Sequence, residues 1–435
     1  MLRAVISSRL ASSLDKNNYQ LILVGTQLHK SFGSKLNIVT ETRTAKIQMS
    51  RDEPIPSQPL SVTIGLIGPG LIGSALLRQI AKQAGKLLGP LHASKIAVVG
   101  LANSRQMLLR PEGVEFDSWE VDLAEKGEPL DLDLFASTIT SAAIAASATP
   151  SSDPTAPGPA CAVLVDCTAS DAVSSAYPAF MKRGLHIVTP NKKFGAGPLA
   201  QYRELREFSE RRRRRFMYEA TVGAGLPIIS TLHGLLETGD RVVRIEGILS
   251  GTLSYIFNTY KPGMRFSDVV AGAKARGYTE PDPRDDLSGL DVARKVVILA
   301  RECGLEVELE DMAVDSLVPE PLRGTGVSVE EYMKRLPQHD ESMASKAAEA
   351  AASGGVIRYV GCVDVEAGSA GVTLRTYPDS HPFAQLSGSD NMVVFTTERY
   401  HDRPLIVRGP GAGAEVTAAG VFVDLLQVIR SHPRA

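Results

Sequence analysis

From residue 62 onward the chain alternates short apolar runs with longer stretches in which apolar residues recur every three or four positions. The runs at 62–67, 95–101, 162–165 and 186–189 are rich in Val and Ile, and each ends in a small or polar cluster: GPG, ANSR, DCTAS and TPNKK. Such runs read as buried strands. Between the first two, Ala75, Leu76, Leu77, Ile80 and Ala81 mark one face of a helix that stops near Gly85, and 176–183 and 199–210 read as further helices. Strands alternating with helices predict a parallel sheet that binds its ligand at the carboxyl ends of the strands.

After residue 216 the pattern changes. The run FMYEATVGAGL at 216–226 carries Glu219 into a Gly-rich turn; 242–250 reads as a strand, followed by an aromatic-bearing helix at 253–260. Residues 312–322 read as an extended strand, 329–351 as helical, 356–378 as a hairpin and 391–407 as two more strands, which makes a second, α+β region with a mostly antiparallel sheet. GPGAGAE and an apolar helix at 416–429 close the chain, and this second glycine-rich turn predicts a return to the first domain. The expected division is a leader over 1–58, a dinucleotide-type domain over 59–215, the second region over 216–405 and a closing segment over 406–435. Within the first domain, 136–160 is almost wholly Ala, Ser, Thr, Pro and Ile, and is expected to be a mobile surface insertion.

The most charged stretch with an apolar continuation is 277–295, GYTEPDPRDDLSGLDVARK, with five carboxylates, two arginines and a lysine. Pro281 and Pro283 rule out a helix through its first half. From 287 the apolar positions Leu290, Val292, Ala293, Val296, Val297 and Leu299 recur as a helix places them. Asp291 and Lys295 are then one turn apart on one face. A salt bridge at a helix start, beside a solvated acidic loop, explains the spacing as well as a catalytic pair does.

Composition narrows the function classes. The chain has 435 residues, 43 % hydrophobic, with a net charge of -2, which suits two or three domains and no polyanionic partner. The run Arg211 to Arg215 has no interleaved aromatics and reads as a solvated connection rather than a nucleic-acid patch. No apolar run approaches the roughly 18 residues of a membrane span. Cys161, Cys167, Cys303 and Cys362 have no metal-ligand spacing and read as reduced thiols of an intracellular protein. The first fifty residues hold two acids against seven Lys/Arg and eleven Ser/Thr, and MLRAVISSRLASSL can form a basic amphipathic helix. This leader reads equally as an organelle transit peptide, plastid or other, or as a disordered leader before a start at Met49, which would leave the protein in the cytoplasm.

Gly68-Pro69-Gly70-Leu71-Ile72-Gly73 lies between the first strand and its helix and reads as a dinucleotide fingerprint. Gly68 permits the tight turn, Gly70 lets the pyrophosphate approach the backbone, and Gly73 allows close packing; the helix N-terminus faces the phosphates. No acid ends the second strand. Arg105 stands there instead, and a guanidinium suits a 2′-phosphate, which favours NADP, with NAD the alternative. Thr168 and Lys192 follow later strands at the ligand-binding edge. Glu219 beside a turn that bares carbonyls suits a hard cation.

Taken in order, GPGLIG, ANSR, DCTAS, TPNKK, YEATVGAGLPII, GILSGTLSYIF, GYTEPDPRDDLSGLDVARK and GPGAGAEVTAAGVF resemble homoserine dehydrogenases over about residues 61–430. HPFAQLSGSDN is similar to the dehydrogenase half of the bifunctional aspartokinase–homoserine dehydrogenases of plants and bacteria, although there is no room for a kinase domain before residue 61 and no recognisable ligand-binding ACT domain after 430. The resemblance implies an α/β chain with a Rossmann-type dinucleotide-binding domain and a second α+β domain for catalysis and dimerisation. It implies NAD(P)H-dependent reduction of L-aspartate 4-semialdehyde to L-homoserine, toward threonine, methionine and isoleucine. By the same resemblance Lys295 and Asp291 would serve the reacting oxygen, with Lys192 beside them. Glu280 and Asp286 would hold the substrate's amino group, and Thr252 and Tyr278 would line the pocket. Glu219 and the carbonyls of Val222, Ala224 and Leu226 would hold sodium. Thr168, Lys192 and Gly413 would lie along the cofactor, and the protein would be a homodimer joined through the second sheet.

The chemistry of the residues agrees with this. Negative charge grows on an aldehyde oxygen as hydride arrives, and a lysine ammonium stabilises it and can donate the proton. Three rival readings are weaker: thioester chemistry at Cys167, which lacks an evident histidine; a divalent-metal site from Glu280, Asp282, Asp285 and Asp286, which would need octahedral geometry from a loop pinned by two prolines; and a catalytically inactive NADP-binding interaction protein, against which the intact Glu280, Asp291 and Lys295 argue.

Overall fold

The computed structural model describes residues 20–27, 39–46, 60–87, 93–147, 161–324 and 326–432. Contacts divide the chain into two units, 1–57 and 58–435. In the first, β1 (Gln20–Gln27) and β2 (Val39–Lys46) form an antiparallel pair. The amphipathic helix expected from MLRAVISSRLASSL lies outside the described residues.

The second unit contains two sheets. The first is built from β3 (Leu60–Ile67), β4 (Ala93–Ala102), β5 (Gln106–Leu109), β6 (Glu128–Pro129), β7 (Cys161–Asp166), β8 (His186–Val188) and β9 (Phe216–Met217), in the order β6-β5-β4-β3-β7-β8-β9. Strands β4, β3, β7, β8 and β9 are parallel, while β5 and β6 form an antiparallel edge. The central strand β3 is buried along nearly its whole length, as a parallel strand covered on both faces must be. The first connection turns at Gly68 (φ +87°), where a Cβ would come 2.7 Å from Thr168 Cγ2. A Cβ at Gly73 would lie 2.3 Å from the Gly68 carbonyl. Both positions therefore require glycine for close packing, and the arrangement is Rossmann-type.

The second sheet comprises β10 (Val242–Ile248), β11 (Ala313–Val314), β12 (Gly355–Asp364), β13 (Ser369–Pro378), β14 (Asp390–Thr397) and β15 (Leu405–Pro410), in the order β11-β13-β12-β10-β14-β15. It is antiparallel apart from the β11–β13 pair. The closing helix Ala414–Ser431 lays Ala418, Val421 and Leu425 against Leu76 and Ile80 of the helix that follows the glycine turn.

One helix, Leu290–Glu302, joins the second sheet to the short helix Lys192–Gly195 that follows β8. Its buried positions go round most of its circumference. On one side Ile298 abuts Gly195 and Arg301 Nη1 donates to the Gly195 carbonyl (2.9 Å). On another, Val296 lies where a Cβ on Gly361 of β12 would come within 2.4 Å. The two glycines let the helix approach each neighbour at backbone distance. Its start is fixed by Gly289, at φ +77°, where a Cβ would be 2.1 Å from Tyr359 Oη.

Four expectations need correction. Residues 132–147 are not an insertion: the helix Leu132–Ser147 buries Phe135, Ile139 and Ala143 on the sheet, over Gly65 and Gly100. Its Ala-rich composition reads as low complexity, yet Ala is the strongest helix former and the spacing of those three residues makes an apolar stripe. Residues 148–160 lie outside the described residues. Pro283 does not exclude a helix: it opens a short one, Pro283–Leu287, where its missing N–H costs nothing, and Asp282 caps that helix by accepting the Arg284 amide. The extended reading of 312–322 reduces to β11 and a 3₁₀ turn, Glu320–Leu322. The helical stretch 329–351 is broken at Pro337 into Val329–Arg335 and Asp340–Ala352.

If Gly289 is needed for both its angle and its space, Gly289→Ala will lower unfolding free energy by about 2–4 kcal/mol, since the left-handed angle alone costs roughly 1–2 kcal/mol. Adding Tyr359→Phe removes the clashing oxygen and will restore part of that loss. Urea midpoints measure both, and an unchanged midpoint in the single variant would contradict the packing described.

Candidate active site

The carboxyl ends of β3, β7 and β8 open on a cleft of about 940 Å³, closed on its far side by the second region. Lys295 reaches it from the joining helix. The side chain is buried, its residue 7 % exposed. Its Nζ donates to the Leu249 carbonyl just beyond β10 (2.7 Å) and lies 2.6 Å from Asp291 Oδ2. Two of its three donors are thus engaged, and the third has no partner among the described residues. Asp291 Oδ1 lies 3.4 Å from Lys192 Nζ, so one carboxylate bridges two ammonium groups. Burial pushes the Asp291 pKa up, but Lys295 and Lys192 outweigh it and hold the carboxyl well below the usual range. The Lys192 pKa is lowered, by burial first and by Lys295, with Asp291 opposing.

The acidic loop forms the other wall. Asp286 Oδ2 accepts the Glu280 amide (2.8 Å), and Thr252 Oγ1 donates to the Tyr278 carbonyl (2.6 Å). Burial raises the Asp286 pKa, with Asp291 and Asp285 adding to the rise. Glu280 is exposed, the Tyr278 ring lies tilted against Tyr255 with ring centres 4.5 Å apart, and all four predicted residues line the cleft. Asp282 does not: it is committed to Arg284 (2.7 Å), so the four-carboxylate metal reading fails. Cys167 lines the cleft, but burial and Asp166 raise its pKa, so no thiolate is prepared there.

On the cofactor side the cleft takes in Thr168, Lys192 and Gly413. Of the fingerprint, only Ile72 borders it; Gly68, Pro69, Gly70, Leu71 and Gly73 form the adjoining turn. A Cβ on Gly70 would meet nothing within 4 Å, and Leu71 is 84 % exposed, so the turn leaves open space where the fingerprint calls for a pyrophosphate. Arg105 is exposed and outside the cleft; its guanidinium pairs with no carboxylate among the described residues. The structural residue of ANSR is Asn103, whose Oδ1 accepts the amides of Arg105 and Gln106 (2.8 Å each).

Glu219 is buried, and both its oxygens accept amides that open the helix Ile229–Glu237: Ile229 (2.7 Å) and Ser230 (2.8 Å). Its own amide donates to Asp424 Oδ2 (2.8 Å), and burial pushes the Asp424 pKa to about 7. The adjoining turn carries positive φ at Gly223 and Ala224. The Leu226 carbonyl accepts Ile228, and Val222 and Ala224 belong to the same turn. Nothing in the apolar spacing of 416–429 signalled Asp424.

Sequence spacing likewise missed that Cys161, His186 and His432 converge, with ligand atoms within 4.8 Å. They lie at the opposite end of the strands from the cleft. His186 Nδ1 accepts the Arg215 amide (2.9 Å) and its Nε2 faces Arg214 (3.4 Å), so a cation would meet an occupied nitrogen and a guanidinium.

Similarity to known proteins identifies the family. Residues 68–219 match the family model for the homoserine dehydrogenase NAD binding domain, and residues 227–426 match that for homoserine dehydrogenase. The homoserine dehydrogenase of Paracoccidioides brasiliensis is 42 % identical over 382 residues, covering 85 % of this chain and 98 % of that one. The chain belongs to the homoserine dehydrogenase family. Maize bifunctional aspartokinase/homoserine dehydrogenase 1, a chloroplastic protein, is 53 % identical over 85 % of this chain, which spans 38 % of that relative's length. A crystal structure of a Candida auris protein of unknown function superposes with a TM-score of 0.75 at 40 % identity, covering 86 % of this chain and 99 % of that one. A hyperthermophilic archaeal homoserine dehydrogenase solved with NADPH shares the fold, at a TM-score of 0.62 and 22 % identity, covering 86 % and 99 %.

In this family member the joining helix is also anchored at its far end. Glu302 accepts from the Tyr202 hydroxyl (2.7 Å), bonds the Tyr218 hydroxyl and pairs with His233 Nε2 (2.6 Å). Burial pushes the Glu302 pKa up, but His233 and Arg206 bring it down to about 2; the His233 pKa is raised, first by its bond to Glu302. A depressed carboxylate stabilises the fold above its free pKa and loses that contribution as pH falls toward about 2. A raised histidine contributes fully below its free pKa and loses it as pH rises through the folded value. Wild type should therefore exceed Glu302→Gln by about 3 kcal/mol between those limits, the low end for a buried pair because His233 is partly open to solvent. Melting temperatures from acid to alkaline pH will show the gap shrinking at both ends; a gap independent of pH would contradict the pairing.

Proposed function

We propose that the protein is a working homoserine dehydrogenase, reducing L-aspartate 4-semialdehyde to L-homoserine with NADPH, and with NADH as the alternative donor, on the route to threonine, methionine and isoleucine. The observation that carries this is the Lys295–Asp291–Lys192 chain, at the point where the cofactor wall and the acidic wall of the cleft meet. Gly68, Pro69, Gly70, Leu71 and Gly73 would hold the pyrophosphate, with Thr168, Lys192 and Gly413 further along the cofactor and Arg105 at the 2′-phosphate. Bound NADPH supplies the hydride.

The protein's own part is electrostatic. The free donor of Lys295 stabilises the growing alkoxide and delivers the proton, while Asp291 holds the ammonium in place and neutralises its buried charge. Lys192 supplies a second cation at the same carboxylate. Glu280 and Asp286 hold the substrate's ammonium, and Thr252 and Tyr278 shape the wall behind it. A substrate with one cationic and one polarised end is thereby oriented across the cleft.

Three subsidiary proposals go with this reading. Glu219 keeps a lone pair on each capped oxygen, and with the carbonyls of Val222, Ala224 and Leu226 it fits a monovalent cation such as sodium, as a structural ion. The protein is a homodimer joined through the second sheet. Residues 1–58 act as an organelle leader, which the chloroplastic plant relatives support. Sedimentation should give a dimer, melting temperature should be higher in sodium than in choline chloride, and a 1–58 fluorescent fusion should enter an organelle; a monomer, equal melting points and a diffuse fusion would count against each in turn.

The activity itself is tested by following NADPH absorbance with the semialdehyde, in EDTA. Turnover is expected. A folded protein that binds NADPH and does not turn over would return the non-catalytic reading. In the reverse direction, Glu280→Gln should raise KM for homoserine about tenfold or more with a smaller loss in kcat, as lost ground-state binding does. An unchanged KM would make Glu280 structural.

A further inference from the structure

Behind the cleft, between the ends of β7 and β8, lies a carboxylate that does not border it. Asp166 is 0 % exposed. Its Oδ1 accepts the Thr168 amide (2.8 Å); its Oδ2 accepts the Tyr177 hydroxyl (2.6 Å) and the Asn191 Nδ2 amide (3.1 Å). All three partners donate, so the site suits an acceptor-only group. Burial raises the Asp166 pKa and these bonds counter it. The Tyr177 hydroxyl also lies 3.0 Å from Thr189 Oγ1, which in turn donates to the Asp166 carbonyl and accepts the Asn191 amide.

Two of the three arms of this hub end on cleft residues, and the third, through Tyr177 and Thr189, closes back on Asp166. Thr168, held through its amide, presses its methyl against the turn at Gly68, and its hydroxyl accepts the Ser170 amide (3.0 Å). Asn191 precedes Lys192 and caps the short helix Lys192–Gly195, its Oδ1 accepting the Lys193 amide (3.1 Å). Its Nδ2 also donates to the Ser170 carbonyl (3.1 Å), so the amide has one orientation. The path from Asp166 to Lys192 is therefore two side chains long, and Lys192 is 3.4 Å from the carboxylate that holds Lys295.

We propose that Asp166 is a positioning residue of the reaction, setting Thr168 and Lys192 in register with the Asp291–Lys295 pair across the cleft. The inference rests on the dehydrogenase reading above. It explains why a carboxylate, rather than an apolar residue, occupies the interior between two strand ends: three donors from three segments converge there, and each needs an acceptor. In Asp166→Asn the new amide can turn its oxygen to only one side. The Tyr177 hydroxyl can swing to Thr189 Oγ1, but Asn191 Nδ2 then faces an N–H and must move, taking the start of the Lys192 helix with it.

The test is made on the full-length protein. NADPH sites are titrated by fluorescence, and kcat is expressed per titrated site, so that a lowered folded fraction does not register. For Asp166→Asn we expect turnover per site to fall at least about tenfold and by more than Kd for NADPH rises, since Lys295 is misplaced relative to the cofactor while the fingerprint turn still binds it. Asn191→Ala, which cuts the same path further on, should show the same split, and the double variant should be no worse than the worse single. An Asp166→Asn protein keeping more than a third of wild-type turnover per site overturns the inference; should that variant fail to fold, Asn191→Ala keeping more than a third does so. Additive losses in the double variant overturn it equally. If wild type itself binds NADPH but turns over no semialdehyde, the functional reading falls, and this inference with it.

Discussion

The structure depends on placing a lysine ammonium inside protein without leaving its charge alone. Desolvating an ion costs several kcal/mol, and removing one partner of a buried pair typically costs about 3–5 kcal/mol. Lys295 meets that constraint with one carboxylate from its own helix and one carbonyl from the second sheet. Asp291 must then point into the cleft one turn before Lys295, which fixes the rotation of the joining helix. Gly289 fixes where that helix starts, and Gly195 and Gly361 fix how closely its two neighbours approach. The ion pair is thus positioned by backbone packing on three sides, and its one free donor faces the cleft.

The rest of the cleft divides by charge. Carboxylates of the acidic loop occupy one wall, two lysines and the strand ends the other, and Asp291 is common to both. On the proposed reading Tyr278 and Glu280 meet the substrate from the loop, Thr252 and Asp286 from short helices, and Lys295 and Lys192 stand on helices beside the reacting atom. An error of an ångström matters most at the reacting atom, and Lys295 is carried there by the longest and most buried of these helices.

Much of this was legible in the sequence because it is local. Strand-then-glycine patterns gave the first sheet, and the i, i+4 spacing of Asp291 and Lys295 gave their contact before any fold was known. What escaped was either a pattern with two meanings or a contact between distant segments. Residues 132–147 look like low complexity because helix-forming Ala dominates them, and only the placement of Phe135 and Ile139 over Gly65 and Gly100 shows what they cover. Pro283 reads as a breaker until its position at the first turn of a helix is seen. Asp424 is a buried carboxylate inside an apolar pattern, Asp166 and His432 are buried where such patterns end, and the partners that explain them lie on other segments. Arg105 was legible as a residue type, but the structure leaves its guanidinium exposed beyond the cleft.

On the proposed reading Lys295 acts on the transition state and does not hold the cofactor. Steady-state kinetics of Lys295→Ala, with NADPH binding measured separately, decides the matter. kcat should fall at least about a hundredfold, the usual scale for a lost proton donor or oxyanion partner, while Kd for NADPH changes by no more than about threefold. A folded Lys295→Ala protein retaining more than a third of wild-type turnover would contradict it.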